Sequence, residues 1–179
     1  MASSTVSRSL HDVGLAAWFG GTLANAVALN TASGHTSNPA DSGRVANIGW
    51  DRWTPVNAAA IAIHLAGSIG QLSANKSRLA GQSGVGTMAI VKTGVTAAAL
   101  GVTAYSRLLG KKVSAHTDVP VNDATTPAQS TPPDVAAAQK QLALLQWAAP
   151  ALTGTLVVIS SFAGEQQRPT NVLRSLLRS

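Results

Sequence analysis

Four stretches of the chain, residues 13–30, 54–75, 86–108 and 142–164, are apolar almost without interruption. They make up nearly half the sequence, yet of its 13 basic and 7 acidic residues only Lys92 and Arg107 fall within them. Each is close to the ~20 residues that a helix rising ~1.5 Å per residue needs to cross a ~30 Å hydrocarbon core. The pattern predicts an all-α fold, a single-domain bundle of four transmembrane helices over about residues 13–30, 54–75, 86–108 and 134–165. A soluble alanine-rich bundle is the rival reading, and the polar residues inside the stretches speak for it. Against it, a soluble surface helix needs a charged outer face, and the second and fourth stretches have none.

Capping chemistry supports these boundaries. Asp12 can cap the first helix, Thr54 the second with Pro55 at its first position, and Asp134 the fourth after Thr131-Pro132-Pro133. Pro150 removes one backbone hydrogen bond within the fourth helix and should kink it. Trp50 and Trp53, flanking Asp51 and Arg52, suit an interfacial aromatic anchor. Residues 31–53 read as a polar loop and 76–85 as a short basic one. The Pro- and Thr-rich segment 113–133 reads as a mobile linker. Residues 166–179 form a basic tail in which Arg168, Arg174 and Arg178 alternate with leucines, a pattern that fits a lipid surface or an ordinary solvated tail. Arg8 ahead of an apolar run, with Ala24-Asn25-Ala26 behind it, also resembles a secretory signal. Asp12, Gly20-Gly21 and Asn25 make a poor signal core, so a permanent helix is expected.

Polar residues recur every seven positions, which is nearly two helical turns, and so line single faces. His11, Trp18 and Asn25 align in the first helix and Asn57, His64 and Gln71 in the second. Lys92, Thr96, Thr103 and Ser106 lie near one face of the third, and Gln146, Thr153 and Ser160 align in the fourth. Unpaired polar groups are costly in hydrocarbon, so these stripes are expected to face one another, with His64 near mid-membrane. They are explained either as interhelical hydrogen bonds that set register or as a polar seam that binds or passes something. Small residues form ridges suited to close helix packing: Ala16, Gly20 and Ala24, and Gly94 with Ala98.

Composition narrows the chemistry. The net charge is +6, but the basic residues are scattered over helix flanks and form no nucleic-acid motif, so the bilayer is the expected partner and nucleic acid is not. Counted by side, the basic residues tie, and Lys92 tips the reading toward cytoplasmic termini. There is no cysteine, hence no disulfide, thiol nucleophile or thiolate-bound metal. No His/Asp/Glu cluster has metal-ligand spacing. Bis-histidine haem needs two histidines at matching depth, and only His64 reads as deep, with His11 at a membrane edge. No hydrolase or phosphate-loop motif is present, so neither cofactor nor catalytic residue is expected.

The segments running from His11 to Gly21 (HDVGLAAWFGG) and from Gly49 to Asn57 (GWDRWTPVN) resemble those of small four-pass bacterial membrane proteins. The resemblance implies the four-pass architecture and carries no activity. The sequence points first to a structural or accessory component of a membrane assembly, joined to a second copy or another membrane protein through its small-residue ridges. The alternative is a protein that handles a small molecule, ion or quinone through a polar seam around His64 and Lys92, with Asn57, Gln71, Asn25 and Gln146.

Overall fold

In a computed structural model of the protein, residues 2–76, 84–116 and 119–165 are described. Four long helices dominate. Helix α1 (Ala2–Ala24) continues through a π-helical turn (Asn25–Leu29) into a last α turn (Asn30–Ala32). Helix α2 is Pro39–Ala74, α3 is Val85–Ser114 and α4 is Pro133–Glu165. All four are long and apolar enough to cross a membrane, which makes this a multi-pass integral membrane protein and an all-α four-helix bundle.

The helices are longer than the apolar stretches because hydropathy marks the hydrocarbon depth and not the end of the helix. Helix α2 starts fifteen residues before Thr54, with Asn38 accepting from the Ala40 amide and Pro39 at the first position. Pro55 therefore sits inside α2, and residues 39–53, expected as loop, are helical. Asp12 likewise lies within α1 and caps nothing.

Packing is inside-out. The largest fully buried side chains include His11, His64, Gln139, Thr153 and Ser33, whereas Ile90 is 75% and Leu144 76% exposed. A water-soluble core shows the reverse distribution, and an apolar exterior of this kind belongs against lipid. Leu15, Trp18, Ala60, Ala99 and Leu156, one or more from each helix, form a small apolar centre. Helix α1 packs tightly on α2 because both helices present glycine where they cross. A Cβ on Gly14 would strike the His64 amide nitrogen and come within 2.6 Å of the Ala60 carbonyl, and one on Gly67 would strike the His11 amide. Helix α3 packs on α4, and α1 also on α4.

The segment between α3 and α4, where composition predicts a mobile linker, is a folded cap over its described residues 119–132. The Ala124 amide donates to Ser33 Oγ (3.0 Å), the Val121 amide to the Pro39 carbonyl (3.4 Å), and Gln139 Nε2 to the Asp123 carbonyl (3.0 Å). Asp123 closes the turn by accepting from the Thr125 and Thr126 amides. The basic tail 166–179 lies outside the described residues.

Candidate functional site

Among the described residues the backbones of α2 and α3 scarcely touch, in contrast to α1–α2, α3–α4 and α1–α4. Near the cap two side-chain latches span the α2–α3 seam. Arg107 Nη2 donates to Asp51 Oδ1 at 3.1 Å, and Ser114 Oγ donates to Asn47 Oδ1 at 2.9 Å. Behind the latches lies a cavity of about 320 Å³, roofed by Val121, Ala124 and Thr125 of the cap and walled by all four helices. Most of the wall is apolar, which is how small-molecule sites are built.

The polar groups of that wall set it apart. Among the described residues no hydrogen-bond partner meets the buried Trp53 Nε1, Asn57 Oδ1, Ser106 Oγ, Arg107 Nε or Gln139 Oε1, and all five residues line the cavity. A buried donor or acceptor left unpaired costs about 1–3 kcal/mol. Most hydroxyls in the spans avoid this cost by bonding to their own helix, as Thr153 does to the Ala149 carbonyl and Thr96 to the Lys92 carbonyl. The residues that line the cavity thus carry three unpaired donors and two unpaired acceptors.

One polar network beside the cavity is fully assembled. Trp50 Nε1 donates to Asn30 Oδ1 (3.0 Å), and Asn30 Nδ2 donates to Gln146 Oε1 (2.8 Å), tying α2, the end of α1 and α4 together. Trp50, expected as an interfacial anchor, is a partner in this network, and Trp53 packs its ring against Gly21. Asn30 carries no signal in a seven-residue reading. The π-helical turn brings Asn25 and Asn30, five residues apart, onto the same buried face.

Deeper and toward the opposite side, the His11 and His64 rings meet at a 47° tilt with centres 4.5 Å apart, and Trp18 lies 6.0 Å from His64. His11, expected at a membrane edge, is fully buried. Its Nδ1–H donates to Asp12 Oδ1 at 2.7 Å, and His64 Nδ1–H donates to the His11 carbonyl at 3.3 Å. Both Nε2 atoms are buried and unpartnered. A gap of 4.5 Å leaves no room for a porphyrin iron in line between the rings, so the pair cannot supply both axial ligands of one haem. Among the described residues no group of three or more His, Cys, Asp or Glu side chains could hold a metal ion.

The residues singled out from sequence therefore separate into distinct places. Asn57 and Gln146 line the first cavity, Asn25 is buried in the π-turn, and His64 belongs to the imidazole pair. Gln71 and Lys92 line a second cavity of about 330 Å³ in the other half of the α2–α3 seam. Ala16, Gly20, Ala24, Gly94 and Ala98 are exposed, and a Cβ on Gly20 or Gly94 would meet nothing within 4 Å. Within the chain, the close crossing is made by Gly14 and Gly67 instead. Ser106 belongs to the polar stripe of the third helix, whereas Trp53, Arg107 and Gln139 carry no such signal in the sequence. Their signal exists only after α2, α3 and α4 are brought together. Compared with protein-family models, curated proteins and solved structures, the chain finds no match in any of the three.

Proposed function

We propose that the protein binds a small amphiphilic molecule in the cavity between α2 and α3. The molecule is a carbonyl- or hydroxyl-bearing ring on an apolar body, for which a quinone and its quinol are the best chemical fit. The observation that carries this reading is that five residues lining one largely apolar cavity each carry an unpaired polar group. A quinone carbonyl accepts from the donors of Trp53, Ser106 and Arg107, and a quinol hydroxyl donates to Asn57 or Gln139. Both donors and acceptors are used by a molecule whose oxygens change role with oxidation state. No chemical step at the site is proposed.

Trp50 and Trp53 line the cavity and give a direct readout. Decylubiquinone added to purified protein should quench tryptophan fluorescence saturably. Asn57→Leu and Ser106→Ala should each weaken that binding about 5- to 30-fold, corresponding to ~1–2 kcal/mol. Neither should lower the thermal stability of the unliganded protein, because each deletes a buried group that has no partner. Quenching that rises linearly with quinone, as simple partitioning into detergent would, or that is the same in both variants, overturns the reading.

A second reading, a structural or accessory role in a membrane assembly, is favoured by the outward ridge of Ala16, Gly20 and Ala24, which no part of the described chain covers. It is distinguished by Gly20→Leu, which would dissociate an assembly and leave quinone binding unchanged. With either reading we place the protein in a bacterial cell membrane with both termini cytoplasmic.

A further inference from the structure

The second cavity differs from the first in charge and position. It is lined by Leu65, Ser68, Gln71, Leu72 and Asn75 of α2 and by Val85, Met88, Lys92 and Thr96 of α3, and reaches Leu100, which it shares with the first cavity. Among the described residues Lys92 is the one charged side chain on this wall, and it lies seven residues, or about 10 Å, in from the start of α3. An ammonium at that depth is costly unless it meets an anion or snorkels to the headgroups. Among the described residues no hydrogen bond or ion pair to Lys92 Nζ is seen. Asp12, which accepts from His11, attracts it through space without forming an ion pair with it. On the same wall, Gln71 Nε2 is buried with no hydrogen-bond partner among the described residues. The start of α3 reaches the same cavity through Val85, and among the described residues no side chain caps it. A lysine without an ion pair and a glutamine with an unpaired amide N–H therefore line one cavity whose wall is otherwise mostly apolar.

We propose that this cavity holds an anionic phospholipid. Its phosphate is bound by Lys92 Nζ with the Gln71 side chain on the same wall, and one acyl chain runs along the α2–α3 seam toward Leu100. The span from Val85 to Leu100 is about 22 Å of helix, most of the depth of the hydrocarbon core. The charge complementarity selects a phosphate, and the apolar remainder of the cavity selects a phosphate that carries a chain. The site shares no polar group with the quinone cavity, so either can fail without the other.

The test uses full-length protein in phosphatidylcholine nanodiscs with and without a minority of phosphatidylglycerol, with the retained lipid counted by native mass spectrometry. The wild-type protein should retain one phosphatidylglycerol in preference to phosphatidylcholine. Lys92→Gln should reduce the preference about fivefold, the equivalent of ~1 kcal/mol for one basic residue at an anionic headgroup. Gln71→Leu should reduce it less, and Lys92→Arg should keep it. No wild-type preference for phosphatidylglycerol overturns the proposal, as does a preference unchanged by Lys92→Gln. If Lys92→Gln does not fold, Lys92→Arg and Gln71→Leu decide by the same criterion, a preference that survives Gln71→Leu undiminished overturning the assignment. Inorganic phosphate that displaces the lipid at millimolar concentration would show a site for the free anion and also overturn it.

Discussion

At the scale of single residues, the two glycines at the α1–α2 crossing carry more of the fold than any apolar side chain. Gly14 and Gly67 each face backbone atoms of the partner helix, which cannot turn aside as a side-chain tip can. Gly67→Leu should therefore destabilise the bundle by about 2–3 kcal/mol in a reversible detergent unfolding assay. Gly20→Leu, with open space in front of it, should change that value by no more than ~0.5 kcal/mol. Equal effects at the two positions would contradict the crossing described above. Sequence alone favoured Gly20, since Ala16, Gly20 and Ala24 have the right spacing for a packing ridge. Spacing shows that small residues share a face, but α1 has small residues on more than one face. Which face meets α2 depends on the partner's glycine at position 67.

At the scale of elements, Asn30 joins three helices through two hydrogen bonds. Asn30→Leu strands the Trp50 N–H and the Gln146 carbonyl, and should cost about 1–3 kcal/mol. A double-mutant cycle with Gln146→Leu should show a coupling of at least about 0.5 kcal/mol, and strict additivity would mean that the network bears no load. This network and the cap explain what the sequence could and could not reveal. The existence and number of the helices were legible because exclusion of charge from hydrocarbon is a local property, written along each stretch. The start of α2 was not, because Asn38-Pro39 and Thr54-Pro55 are equally good start signals and only the backbone chooses between them. Residues 119–132 look mobile by composition, but their polar groups are satisfied by Ser33, Pro39 and Gln139. Those partners are distant in sequence. Asn30 was missed for a different reason: a constant helical period cannot anticipate a π-helical turn.

At the scale of the whole molecule, the bundle is closed on three sides and parted along α2 and α3, and both cavities lie in that seam. The seam is also the natural path for a ligand arriving from the bilayer, and the Asp51–Arg107 and Asn47–Ser114 contacts hold it shut near the cap. Since the chain has no cysteine, Asn47→Cys with Ser114→Cys creates a unique pair. Joining it with a short thiol cross-linker should slow quinone binding to the first cavity while the equilibrium affinity of a preloaded sample is unchanged. An unaltered binding rate would place the route elsewhere. All of this rests on one claim, that the apolar exterior faces lipid and the polar residues face inward. The most direct test places single cysteines at Ile63, Ile90 and Val158, all exposed on the bundle, and at Ser130 in the cap, in native membranes opened to both sides. The account predicts that a membrane-impermeant maleimide labels Ser130→Cys and leaves the three helix positions unlabelled until detergent unfolds the protein. Labelling of the helix cysteines as fast as Ser130→Cys without detergent would contradict it.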